Sequence, residues 1–142
     1  MREPVRETAN VRAELDHVIA IEAHTARVYD KTVERFRAGR VTVEALTDLI
    51  ERTILPELRS AQVRLKTLDG VQGDDKPLIA TAQNYLNLRD ESWRMRARAL
   101  KASDMAKLRE ADRKEQASLA ALQTLMPKRN SAGSQKSQMS SF

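Results

Sequence analysis

Near the start of the chain, one glutamate and one histidine have the spacing of a metal-ligand pair in helical bundles. Glu14-Leu15-Asp16-His17 matches the Glu-x-x-His motif of di-iron bundles, which need a second such motif and two further inward carboxylates on other helices. The only other histidine, His24, falls on the same predicted helix, and both histidines lie off its apolar stripe. We therefore expect solvent-facing histidines and no metal site.

Nucleophilic and phosphate-binding motifs do not occur in the sequence. It has no cysteine, no Gly-x-Ser-x-Gly turn, no glycine-rich phosphate loop and no histidine near a suitable serine and aspartate. The Asp74-Asp75 pair lacks the alternating oxygen ligands of a calcium loop. The sequence predicts a protein that is not an enzyme and has no cofactor.

Two charged residues lie on stripes that are otherwise apolar. Glu22 falls in the stripe of the first predicted helix, and Arg89 falls in that of the third, both near mid-helix. Because charged side chains are rarely buried without a partner, we predict a buried Glu22–Arg89 ion pair supported by the hydroxyl of Tyr29 or Tyr85. We expect Trp93 to pack in the core, with a role as an interface anchor as the alternative. A structural role is favoured over ligand binding, catalysis or the absence of any contact.

Helical periodicity runs through most of the chain. In the first helix, over about residues 8–38, the stripe consists of residues three and four apart: Val11, Leu15, Val18, Glu22, Thr25, Tyr29, Val33 and Phe36. Gly39 follows as a C-terminal cap, and Thr42 caps a second helix that extends to Gly70. Pro56 lies in the middle of that helix and predicts a kink, with one bent helix favoured over two separate ones.

The second half predicts two further helices. Pro77 suits the first position of a third helix that ends near Ala102. Ser103 and Asp104 resemble a cap that opens a fourth helix, although one long bent helix is the alternative. In the fourth helix we expect apolar burial of Met105, Leu108, Ala111, Leu119, Leu122 and Met126. The prediction is an all-α, antiparallel, up-and-down four-helix bundle over residues 1–126 and a disordered Ser- and Lys-rich tail over 127–142.

Composition and charge indicate where the protein is located and which anionic partners it could bind. The sequence is 41% hydrophobic and 32% charged, with no apolar run long enough for a signal peptide or a membrane span, so we expect a cytoplasmic protein. The net charge is +5, and the basic residues of one short segment could bind an anionic surface together with the tail: Arg94, Arg96, Arg98 and Lys101. Nucleic-acid binding is disfavoured because single-strand binders need several exposed aromatic rings.

Several short motifs together resemble a known kind of domain. They are, in order, Glu22, Tyr29, Gly39-Arg40-Val41-Thr42, Ile54-Leu55-Pro56, the Tyr-Leu-x-Leu-Arg-x-x-x-Trp run from Tyr85 to Trp93, Ala99-Leu100 and Asp104. Over about residues 10–125 the chain resembles the small soluble helical bundle appended to some bacterial rhomboid-type membrane proteins. The resemblance implies a bacterial accessory module that works near a membrane or in a larger assembly. The membrane helices and the rhomboid Ser–His pair do not occur in this sequence, so proteolysis is not implied.

The favoured function is a non-enzymatic helical interaction or scaffold module with a protein partner or a second copy of itself. One alternative is a bundle that binds a small ligand or senses a signal. The other alternative is binding to an anionic surface or nucleic acid through the basic segment and the tail.

Overall fold

The computed structural model describes residues 3–126, with side chains described from residue 11 onward. The predicted tail lies outside this range. The described residues form α-helices, one π-helical turn and connecting turns, with no β-strand among them. In chain order they are α1 (Glu3–Arg37), α2 (Val43–Leu49), the π turn (Ile50–Ile54), α3 (Leu55–Lys66), α4 (Asp75–Ala102) and α5 (Met105–Gln123). The all-α prediction is confirmed.

The end of α1 is closed by a glycine, as predicted. Gly39 has a φ angle of 75°, a left-handed conformation that costs glycine little. This conformation lets the backbone N–H of Arg40 reach the carbonyl of Arg35 at 2.9 Å. Thr42 then takes an extended backbone conformation before α2 but makes no side-chain capping hydrogen bond.

Pro56 is accommodated by the π turn. The backbone remains helical from Val43 to Lys66, so the predicted single helix is favoured over two separate ones. At the end of the π turn, the N–H of Leu55 donates to the carbonyl of Ile50, five residues earlier. A wider turn suits a proline inside a helix, because proline has no N–H and its ring clashes with the carbonyl four residues before it.

The other helix boundaries required two corrections. The sequence predicts a second helix that extends to Gly70, but its last α-helical segment, α3, ends four residues earlier, at Lys66. Pro77 is the third residue of α4, not the first, and its missing N–H costs nothing because no N–H in the first turn has an intrahelical partner. Ser103, with φ of 53°, separates α4 from α5, so the alternative of one long helix was wrong.

The core lies between the apolar faces of the helices. Its fully buried large residues are Val11, Val18, Ile21, Ile50, Ile54, Leu58, Leu65, Tyr85, Leu86 and Trp93. Two large apolar residues of the predicted stripes are exposed: Phe36 is 40% exposed and Met105 is 64% exposed. Phe36 lies in the last turn of α1 and Met105 is the first residue of α5, so both lie at helix ends, where fewer neighbouring elements can cover them.

Candidate functional site

A charged cluster lies inside the protein where α1, α4 and α5 meet. The predicted contact between Glu22 and Arg89 is present: Nε of Arg89 donates to Oε1 of Glu22 at 2.8 Å, and Nη2 donates to Oε2 at 3.1 Å. The side chain of Arg89 is 2% exposed and that of Glu22 is 12% exposed. Parallel N–H···O bonds of this kind combine charge with a fixed geometry and are stronger than bonds between neutral groups.

Further groups surround the guanidinium of Arg89. Its Nη1 lies 3.2 Å from Oγ of Ser92 and 3.3 Å from Oε1 of Glu115. The hydroxyl of Tyr85 donates to Oε1 of Glu22, and the guanidinium carbon of Arg89 lies 4.4 Å from the centre of the Trp93 ring. Every nitrogen of the guanidinium therefore has a partner within the protein, and one of its faces packs on an aromatic ring.

A second arginine extends the cluster toward the surface of α5. Nη2 of Arg96 donates to Oδ1 of Asp112 at 2.7 Å and to Oε1 of Glu115 at 2.9 Å. Oε1 of Glu115 thus lies near both guanidinium groups. We define the central cluster as Glu22, Tyr85, Arg89, Arg96 and Glu115. It connects α1 to α4 and α4 to α5 through charged hydrogen bonds.

Burial and charge shift the pKa values of three groups in or near the cluster. Burial raises the pKa of Tyr85 above its ordinary value, and the neighbouring carboxylate of Glu22 raises it further. Burial alone would lower the pKa of Arg89, but the hydrogen bonds and charge of Glu22 outweigh that effect and raise it. Burial also raises the pKa of Tyr29, with Arg96 opposing the shift. The cluster thus favours a charged arginine beside neutral tyrosines.

The two tyrosines have different roles. Tyr85 is the one whose hydroxyl binds Glu22, whereas the ring of Tyr29 makes an edge contact with Trp93, with centres 4.9 Å apart and an angle of 66° between planes. Trp93 is 1% exposed, which confirms its predicted place in the core. Its Nε1 and the Nε of Arg96 are buried with no hydrogen-bond partner among the described residues.

The predicted basic segment does not form one exposed surface. Arg96 is buried in the central cluster, which corrects its assignment to an anion-binding surface. Arg94 pairs with Asp90, and Lys101 pairs with Glu51, each at 2.7 Å. Arg98 is exposed. Residues at positions 94 and 98 share a face of the helix, whereas position 96 is on the opposite side, so the segment cannot present all its cations together.

Glu14 of the Glu-x-x-His motif and the later His24 both approach charged residues of α3. Glu14 binds Nη2 of Arg64 at 2.9 Å, and Nε2 of His24 lies 3.9 Å from Oε1 of Glu57. His17 is half-buried and His24 is exposed. Over the part of the chain that the structure describes, no group of three or more histidine, cysteine, aspartate or glutamate side chains could hold a metal ion.

Sequence reasoning missed Glu115 and Ser92. A signal for Glu115 was present, because it lies four residues after Ala111 and four before Leu119, in a gap of the apolar stripe of α5. A carboxylate at that position indicates a buried cation opposite, by the same argument that selected Glu22. Ser92 lies three residues after Arg89 on α4. Small hydroxyl residues are common at such positions, so the sequence gives no signal for its contact with Arg89.

Within residues 3–126, no helix has both the length and the apolar content needed to cross a membrane. No protein family, curated protein sequence or solved structure matches this chain. The resemblance to the rhomboid-associated bundle therefore stays a prediction, and the function must be inferred from the geometry.

Proposed function

We propose that this chain is a non-enzymatic helical interaction or scaffold module, in which the central cluster fixes the packing of the helices and the outer faces bind a partner. The observation that carries this proposal is the occupancy of Arg89. All three of its nitrogens contact Glu22, Ser92 or Glu115, and its side chain is 2% exposed. A buried guanidinium whose every nitrogen already contacts the protein is suited to structure and not to ligand binding.

The proposed architecture is an antiparallel, up-and-down bundle of four helical units, with α2, the π turn and α3 as the second unit. The order of side-chain contacts supports it. Between α1 and α3, Glu14 pairs with Arg64 while the later His24 approaches the earlier Glu57, so sequence numbers rise along one helix and fall along the other.

Contacts at the other helix pairs follow the same rule. Between α4 and α5, Arg96 pairs with Asp112, while the earlier Glu91 pairs with the later Lys114. Between the second unit and α4, Lys101 pairs with Glu51, while the earlier Asn87 accepts a hydrogen bond from the later Gln62. Successive units joined by short connections and packed in opposite directions are typical of up-and-down bundles.

Apolar side chains on the surface support a role in binding. Val63 is 61% exposed, Met105 is 64% exposed and Phe36 is 40% exposed. Single exposed apolar residues are common on proteins, so these three mark faces to be tested and do not define a partner.

The test combines sedimentation velocity with chemical cross-linking and mass spectrometry, using the full chain and an extract from its native organism. An interaction module is expected to self-associate or to form a reproducible complex whose cross-links fall on outer faces. The double variant Glu22→Leu with Arg89→Met should keep that complex, because the pair is internal. A chain that remains monomeric without a partner, and is instead stabilised by a small molecule through Arg89, would contradict the proposal.

A further inference from the structure

An exposed stripe with regular spacing runs along the outer side of the second helical unit. It consists of Arg52, Pro56, Arg59, Val63 and Lys66, all of them exposed and separated alternately by four and three residues. We call these five residues the outer stripe. Residues at this spacing share one face of a helix. In bundles and coiled coils, residues at the same spacing contact the partner helix.

The last three residues of the outer stripe form one wall of a groove between α3 and α4. The groove has a volume of about 470 Å³, within the range of sites that hold ligands or peptide side chains. Arg59, Val63 and Lys66 line it from α3, and the amides of Gln83 and Asn87 line it from α4. Val63, at 61% exposed, offers an apolar contact between the two cations.

Two hydrogen bonds connect α4 to α3 and to the turn that follows α3. Nε2 of Gln62 donates to Oδ1 of Asn87 at 3.1 Å, and Nε2 of Gln83 donates to Oδ1 of Asp69 at 3.3 Å. Asp69 is the one carboxylate among the groove's lining residues, and one of its oxygens is already engaged. With Arg59 and Lys66 against this one carboxylate, the net charge of the lining residues is positive.

The cations of the outer stripe differ in their ion pairing from a neighbouring arginine of α3. Within residues 11–126, Arg52, Arg59 and Lys66 form no ion pair. By contrast, Arg64, on the side of α3 that faces α1, is paired with Glu14. The outer stripe thus alternates unpaired positive charge with apolar surface.

We propose that this groove docks an acidic amphipathic helix of a partner protein, with carboxylates and apolar residues alternating at the same spacing. The inference rests on the proposed interaction function and names the chemistry of the partner. A helix fits because the exposed features repeat every three or four residues, as in other helix-in-groove complexes. The chain's own tail is excluded by its charge, because residues 127–142 contain three basic and no acidic residues.

The test measures binding of a fluorescein-labelled synthetic peptide by fluorescence anisotropy. The peptide is alanine-rich, about 18 residues or five helical turns long, and carries Glu and Leu alternately at the spacing of the outer stripe. One matched peptide replaces Glu with Lys, and a second replaces Leu with Ser. The full chain is expected to bind the Glu/Leu peptide saturably and to bind both matched peptides at least about tenfold more weakly.

Charge reversal locates the site. The variant Arg59→Glu with Lys66→Glu is expected to lose at least about tenfold in affinity, a difference of about 1.4 kcal/mol. The control variant Arg98→Glu with Arg109→Glu removes two exposed cations elsewhere and should leave affinity unchanged. The milder variant Arg59→Gln with Lys66→Gln serves if charge reversal prevents folding, as judged by circular dichroism.

Three outcomes would overturn the inference: no binding of the Glu/Leu peptide, equal binding of the Ser-containing peptide, or equal loss of affinity in the control variant. Competition by polyphosphate or by phosphatidylglycerol vesicles, without dependence on Leu, would assign the stripe to polyanions or lipid instead. The proposed function would fail on a different result: sedimentation and cross-linking that detect no complex at any outer face.

Discussion

Arg89 binds both carboxylate oxygens of Glu22, so one residue of α4 is fixed to one residue of α1 by two hydrogen bonds of 2.8 and 3.1 Å. A shift of either helix by one turn would separate the two charges and leave each buried without its partner. That penalty exceeds the cost of losing an apolar contact. The pair therefore favours one relative height of the two helices over the alternatives that apolar side chains alone would permit.

Trp93 reports on the integrity of the core. It is the only tryptophan in the chain and is 1% exposed, with Arg89 against its ring. We predict that iodide quenches its fluorescence several-fold less in the folded protein than in urea, because an anion cannot reach a buried ring. The exposed substitution Arg98→Gln is the control and should leave quenching unchanged. Equal quenching constants for folded and unfolded protein would show that Trp93 is accessible.

Tyr85 should make the protein sensitive to alkali. Its pKa is raised above the ordinary value of 10.0, so above about pH 10 the unfolded chain loses a proton that the folded chain keeps. Stability therefore falls as pH rises past that point, by up to about 1.4 kcal/mol per pH unit for each such tyrosine. Urea titrations between pH 8 and about pH 12 measure the slope.

The variant Tyr85→Phe isolates that effect. It should be less stable at neutral pH by about 1–3 kcal/mol, because Glu22 loses a buried donor, but it should depend less on alkali than the wild type. Tyr29→Phe is the comparison: because burial also raises the pKa of Tyr29, this variant should likewise depend less on alkali, but it leaves the hydrogen bond from Tyr85 to Glu22 in place. A Tyr85→Phe variant with an unchanged alkaline slope would contradict the assignment.

The two predicted helix caps should differ in energy. Oδ1 of Asp104 accepts a hydrogen bond from the backbone N–H of Lys107 at 3.0 Å, whereas Thr42 makes no such bond. We predict that Asp104→Ala lowers the free energy of unfolding by about 1 kcal/mol and that Thr42→Ala costs less. Asp104→Asn should retain most of the stability. Equal losses at Asp104 and Thr42 in urea unfolding would contradict the role of the side chain.

Periodicity predicted the helices and the central pair, because both follow from local rules. A charged residue at a core position of an amphipathic helix implies a buried partner, and the mid-helix positions of Glu22 and Arg89 indicated which residues could meet. Glu115 follows the same rule, because it occupies a gap in the apolar stripe between Ala111 and Leu119, but the rule does not identify its partner. Its role depends on two arginines of another helix, which no local pattern shows.

Details set by packing were harder to predict. Pro56 removes one hydrogen bond whether the helix kinks or widens, so the sequence does not distinguish a kink from the π turn at Ile50–Ile54. Met105 has the spacing of a core residue, yet it is the first residue of α5 and is 64% exposed. The ion pairs of Arg94 and Lys101 also depend on neighbours that the basic run itself does not show.

The most direct test of a structural role for the central pair is a double-mutant cycle in urea. Arg89→Met alone leaves Glu22 and the Tyr85 hydroxyl without their main partner, and Glu22→Leu alone leaves a buried guanidinium short of a counter-ion. Each single variant should lose about 3–5 kcal/mol of unfolding free energy. The double variant replaces both charges with apolar side chains of similar size and removes the uncompensated charge.

We predict that the double variant loses far less than the sum of the single losses, with a coupling energy of at least about 2 kcal/mol. Lys101→Met with Glu51→Leu, at an exposed ion pair, is the control and should show coupling below about 1 kcal/mol. Additive losses for Glu22 and Arg89 would mean that the two residues stabilise the fold independently, and would contradict the account.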